Sequence, residues 1–139
     1  MRIFKGISVL ALILGFFVEE IGSIIGRFFL IFVLVKTVPT NVHDAPGLIY
    51  SNISYLLIAL IIALLFSYLG GFITAKIAKT AKTKNAVIVA LFFEFFIYNP
   101  LVGESAFPIW YLILLLILNI PVAVLGAKSA NKKVRISSV

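Results

Sequence analysis

Cysteine is absent from the 139 residues, which excludes disulfides, thiolate nucleophiles and cysteine-ligated zinc or iron–sulfur centres. Charge is scarce too, at 12% of the chain against about 25% in globular domains. Acids are the rarer sign, five against twelve Lys and Arg, leaving a net charge of +7. The sequence holds no glycine-rich phosphate loop and no nucleophile elbow, and its single histidine, His43, beside Asp44 makes neither a metal site nor a triad. These gaps argue against an enzyme, a resident metal or a cofactor. Nucleic-acid binding would need basic residues on a folded polar face with aromatics for stacking. Here the basic residues flank apolar segments instead, so no nucleic-acid partner is expected.

What remains is apolar. Hydrophobic residues make up 63% of the chain and the mean hydropathy is +1.20. A membrane helix needs about 20 such residues. The sequence therefore predicts an all-α integral membrane bundle of four transmembrane helices, a single domain over residues 1–139, with spans near 6–35, 51–75, 85–98 and 108–127. The first run, Gly6 to Val35, would measure about 45 Å as a helix at ~1.5 Å per residue. It must tilt, break or protrude from a hydrocarbon core about 30 Å thick. Its basic start resembles a signal peptide, but the run continues past any cleavage point and lacks an A-x-A site. Lys36 to Tyr50, with Pro39, Asn41, Pro46 and Gly47, reads as a polar loop. Asn99, Pro100, Gly103 and Glu104 break the chain on the same face, and Trp110 and Tyr111 fall at aromatic-belt depth.

The basic residues set an expected orientation. Ten of twelve lie at the start, in the middle turn (Lys76, Lys79, Lys82, Lys84) or at the end (Lys128, Lys132, Lys133, Arg135). The positive-inside rule then puts both termini and the middle turn in the cytoplasm, with the protein in the cell membrane. The eight middle and C-terminal cations are also placed to hold anionic lipid headgroups.

Corresponding phrases recur in the two halves. Phe16-Phe17-Val18-Glu19 parallels Phe92-Phe93-Glu94, and Thr74-Ala75-Lys76 parallels Gly126-Ala127-Lys128. A duplicated helical hairpin would produce this, and so would the ordinary small-residue-plus-lysine exits of membrane helices.

Charged residues inside a span are costly and face a partner or a wet cavity. Glu19, Glu20, Arg27 and Glu94 are the four here, Glu19 and Glu94 near mid-bilayer. Small residues supply close-packing positions: Gly15, Gly22 and Gly26 on one stripe of the first span, the last two a G-x-x-x-G, and Gly70 and Gly71 in the second. Two functions stay open. One is an accessory or interaction subunit that uses this polar, small-residue stripe for helix packing within a homo-oligomer or heteromeric membrane complex. The other is an oligomeric proton-linked secondary transporter built on the intramembrane carboxylates, with Arg27 as counter-ion or anion contact.

The stretch from Leu69 to Phe92, LGGFITAKIAKTAKTKNAVIVALF, and that from Pro108 to Ala130, PIWYLILLLILNIPVAVLGAKSA, resemble a loose class of uncharacterised small prokaryotic proteins with four transmembrane helices. The resemblance covers about half the chain and implies fold and orientation, not activity. A first-helix glutamate is also similar to that of small multidrug-resistance transporters, which makes Glu19 or Glu20 the analogous residue. The longer first span and larger outer loop depart from that family.

Overall fold

The computed structural model describes residues 6–98 and 107–136 (backbone only for 96–98 and 132–136). The described residues form five helices and no strands: α1 Val9–Thr37, α2 Ala45–Ser51, α3 Ile53–Ile77, α4 Lys82–Tyr98 and α5 Ile109–Ile136. The expected break around Pro100, Gly103 and Glu104 lies outside the described residues, as do Arg2 and Lys5.

Local chemistry sets the helix limits. Ser8 caps α1, its hydroxyl accepting from the Ala11 N–H at 3.4 Å. The first span is one continuous helix, and it ends where Val38, preceding Pro39, turns extended. The polar loop expected over Lys36 to Tyr50 is only partly a loop, because its second half folds as α2. Asn41 organises the entry, its Oδ1 accepting from the His43 and Asp44 N–H groups at 3.0 Å each while its amide donates to Asp44 Oδ2 at 2.7 Å. Pro46 falls in the first turn of α2, where its missing N–H costs nothing. Asn52 then caps α3 through the Ser54 N–H at 2.9 Å.

Among the described residues, three helices are long and apolar enough to cross a membrane: α1, α3 and residues 109–131 of α5. The expected span over residues 85–98 is not among them. At 17 residues, α4 is about 25 Å long, and its first turn is the polar Lys82-Thr83-Lys84-Asn85. α5 in turn runs beyond the expected end at Ala127 to Ile136, straight through Pro121.

Contacts fix the topology. Asn85, at the start of α4, accepts from the Ser8 N–H at 2.9 Å and donates to the Gly6 carbonyl at 3.0 Å, tying the α4 and α1 starts together. Ala75, Ala86, Ala127 and Ala130 cluster nearby. One end of the bundle therefore gathers the start of α1, the α3–α4 turn and the far half of α5. The opposite end is covered by α2, whose Ile49 packs on Leu30, Leu34 and Ala59. There Phe107 meets Tyr50 edge-on and stacks on Tyr111, both at 4.8 Å between ring centroids. Central to this up-down-up-down arrangement, α3 touches every other helix.

Glycines let α3 sit that close. A Cβ at position 71 would fall 2.9 Å from the Ala123 Cα, and one at position 126 would run into the Tyr68 carbonyl, so α3 and α5 meet backbone to backbone. The bundle's outer surface carries Leu10, Phe17, Phe28, Phe32, Ile61, Phe95 and Ile117, whereas Glu19, Ser67, Thr74, Asn85, Glu94 and Asn119 lie inside. That distribution reverses the pattern of a water-soluble domain and suits an apolar solvent.

Candidate functional site

Four polar side chains from four helices converge in the middle of the bundle. Glu19 lies ten residues into α1, Ser67 ten before the end of α3 and Asn119 ten into α5, each about 15 Å from its helix terminus. Glu94 sits twelve residues into α4, about 18 Å in. All are buried, Glu19 at 0% exposure and Glu94 at 3%.

Packing holds these groups together. The Glu19 side chain lies over Gly70, where an added Cβ would stand 3.3 Å from Glu19 Cβ and 3.5 Å from Oε2. Gly15 keeps the first helix down, its backbone carbonyl 3.0 Å from the same Cβ position. Ser67 and Asn119 stand beside the Glu19 carboxyl, and Asn119 also stands beside that of Glu94. The Glu19 carboxyl is within electrostatic reach of Glu94.

These neighbours are largely committed elsewhere. Ser67 Oγ donates to the Asn119 backbone carbonyl at 3.3 Å, and Asn119 Nδ2 donates to the Ala90 carbonyl at 3.4 Å. All four carboxyl oxygens of Glu19 and Glu94, and Asn119 Oδ1, are buried without a hydrogen-bond partner. Bare paired carboxylates in such surroundings are prohibitively costly. Two buried carboxyls without partners suit protonation or a bound small cation.

Apolar layers separate the cluster from both ends. Toward α2 lie Leu56, Leu60, Phe93, Tyr111 and Leu115; toward the lysine turn lie the alanines of α3, α4 and α5.

The other charges expected inside the membrane lie apart from this pair. Glu20, on the flank of α1, is half-buried and within electrostatic reach of Arg27. Arg27 is exposed near the α2 end, lining a cavity with Ile24, Phe28 and Tyr50. Gly15, Gly22 and Gly26 face α3 of the same chain, against Thr74, Phe66 and Ile62, while Gly70 receives Glu19 and Gly71 receives Ala123. Lys76 ends α3 with its ammonium 5.0 Å from the Phe72 ring centre, Lys79 lies in the turn, Lys82 and Lys84 open α4, and Lys128 is exposed on α5. The side chains of Lys132, Lys133 and Arg135 lie outside the described residues.

Reasoning from sequence did not assign Ser67, Asn119 or Asn85 to a site. Asn119 carried the clearest signal, an amide interrupting a long leucine and isoleucine run. Asn85 is a fastener for the helix starts, also donating to Thr80 O at 3.3 Å and Ala81 O at 2.9 Å. No family model, curated protein or solved structure matches this chain.

Proposed function

We propose that the protein is a four-span membrane protein that carries protons or a small monovalent cation, using Glu19 and Glu94 as the carrying groups and Asn119 and Ser67 as the polar lining. The observation that bears most weight is the enclosure of two unpartnered carboxyls at mid-depth, supplied by different helices. Ionisable groups buried at membrane depth are maintained against a high cost, and exchange of a bound ion is what such a pair offers in return. α4 serves as the fourth span, its shortness offset by packing inside the bundle and local thinning of the bilayer. The lysine-rich end faces the cytoplasm, in keeping with the positive-inside rule.

The interaction-subunit reading needs the small-residue stripe of α1 to be free for a partner. Gly15, Gly22 and Gly26 are instead packed on α3 of their own chain, which favours ion carriage. Reconstitution of the purified full chain into liposomes with entrapped dyes for pH, sodium and potassium tests the proposal. Flux above that of empty liposomes is expected under an imposed proton, sodium or potassium gradient, and the effective gradient identifies the ion. Dye traces equal to empty liposomes under all three gradients would overturn it.

A further inference from the structure

A cavity of about 250 Å³ opens between α1, α2 and α3 near the α2 end. Ile24, Phe28, Ile31, Ile49 and Ala59 make its walls apolar, while Arg27 brings a positive charge and Tyr50 a phenol. Arg27 has no hydrogen-bond partner among the described residues, and Glu20, two turns lower, attracts it only at a distance. We infer that this cavity binds a membrane lipid with an anionic phosphate headgroup, the guanidinium of Arg27 holding the phosphate and the walls taking the first part of the acyl chain.

Depth supports this occupant. Arg27 stands eighteen residues above Val9, and Ala59, across the cavity, stands eighteen above Ile77. Both distances come to about 27 Å at 1.5 Å per residue. The hydrocarbon core is about 30 Å thick, so the cavity lies where chains give way to headgroups. The planar, fixed fork of the guanidinium matches phosphate oxygens two at a time. A free inorganic anion would surrender its hydration to one cation and several hydrocarbon walls. A phospholipid arrives partly dehydrated and brings its own apolar part, which can descend along the exposed Ile24 and Phe28 side chains. The inference rests on α1 and α3 crossing the membrane and is independent of what the buried carboxyls do.

Native mass spectrometry of the full chain in dodecyl maltoside, with phosphatidylglycerol or phosphatidylcholine of the same acyl chains, reads the occupancy. The wild-type chain should retain one phosphatidylglycerol in several-fold preference to phosphatidylcholine. Arg27→Gln should abolish the preference, Arg27→Lys should keep part of it, and Ile24→Trp, at an exposed position that narrows the cavity, should lower retention without removing charge. Thr83→Ala, exposed at the opposite end, should leave the bound lipid in place. The inference fails if Arg27→Gln retains phosphatidylglycerol at the wild-type level, or if Thr83→Ala releases it. Displacement of the lipid by millimolar inorganic phosphate would show a site for a free anion instead. A chain that stays soluble without detergent would remove the membrane depth on which the inference stands, whereas absence of ion flux would leave it untouched.

Discussion

Gly71→Ala is the sharpest probe of how the bundle is held together. The added methyl would fall 2.8 Å from the carbonyl carbon of Ala123 and 2.9 Å from its Cα, and closer still to the carbonyl oxygen. Carbon atoms in ordinary contact stand about 3.5–4.0 Å apart. Because the obstacle is backbone, no side-chain rotation relieves it, and α3 and α5 must separate by roughly 1 Å along their whole contact. Overpacking of this kind costs about 1–3 kcal/mol, and the rigid obstacle puts this site in the upper half of that range. Unfolding in mixed detergent and dodecyl sulfate micelles, followed by circular dichroism, measures the loss. Gly47→Ala is the matched control, since a Cβ there meets nothing within 4 Å. Equal unfolding free energies for the Gly71 variant and wild type would refute the backbone-to-backbone contact and the placement of α5.

Other substitutions probe separate parts of the molecule. Asn85→Ala strips four hydrogen bonds at the junction of α1 and α4. It should cost about 2–4 kcal/mol in the same unfolding assay, since buried backbone groups lose their partners. The cysteine-free chain allows clean labelling: Thr80→Cys should react with an impermeant maleimide only from the cytoplasmic side and Val42→Cys only from the opposite side, and same-side labelling would contradict the topology. Replacing Glu19 and Glu94 together by Leu should leave the fold equally or more resistant to heat, because apolar replacement of buried charged groups is often neutral or stabilising. A large loss of stability in that double variant would mark the pair as a structural clamp.

The runs of apolar residues made the three helices long and apolar enough to cross a membrane legible, since length and hydropathy alone define such elements. Glu19 and Glu94 were legible for a related reason, as charges standing alone in apolar surroundings. That both stand beside Asn119 was not, because it depends on which face each helix turns inward. Gly70 decides that for Glu19, and glycines serve packing in too many ways for their spacing to announce a carboxyl resting on one of them. Ser67 was hidden by its neutrality, and Asn119, conspicuous in its apolar run, gave no sign of which side chains it would face. α2 escaped notice because Pro46 and Gly47 read as turn formers, although proline suits a first helical turn. The stripe Gly15, Gly22 and Gly26 pointed to close packing without saying whether the neighbour was another chain; it is α3.

One comparison tests the central claim most directly: ion flux in liposomes for Glu19→Gln, Glu94→Gln and Glu20→Gln, with unfolding free energy measured on the same preparations. Glutamine preserves shape and removes the exchangeable charge. Either buried variant should lose flux while keeping its stability, and Glu20→Gln, half-buried on the flank of α1, should conduct as wild type does. Undiminished flux in Glu94→Gln, or loss in Glu20→Gln alone, would contradict carriage by the enclosed pair.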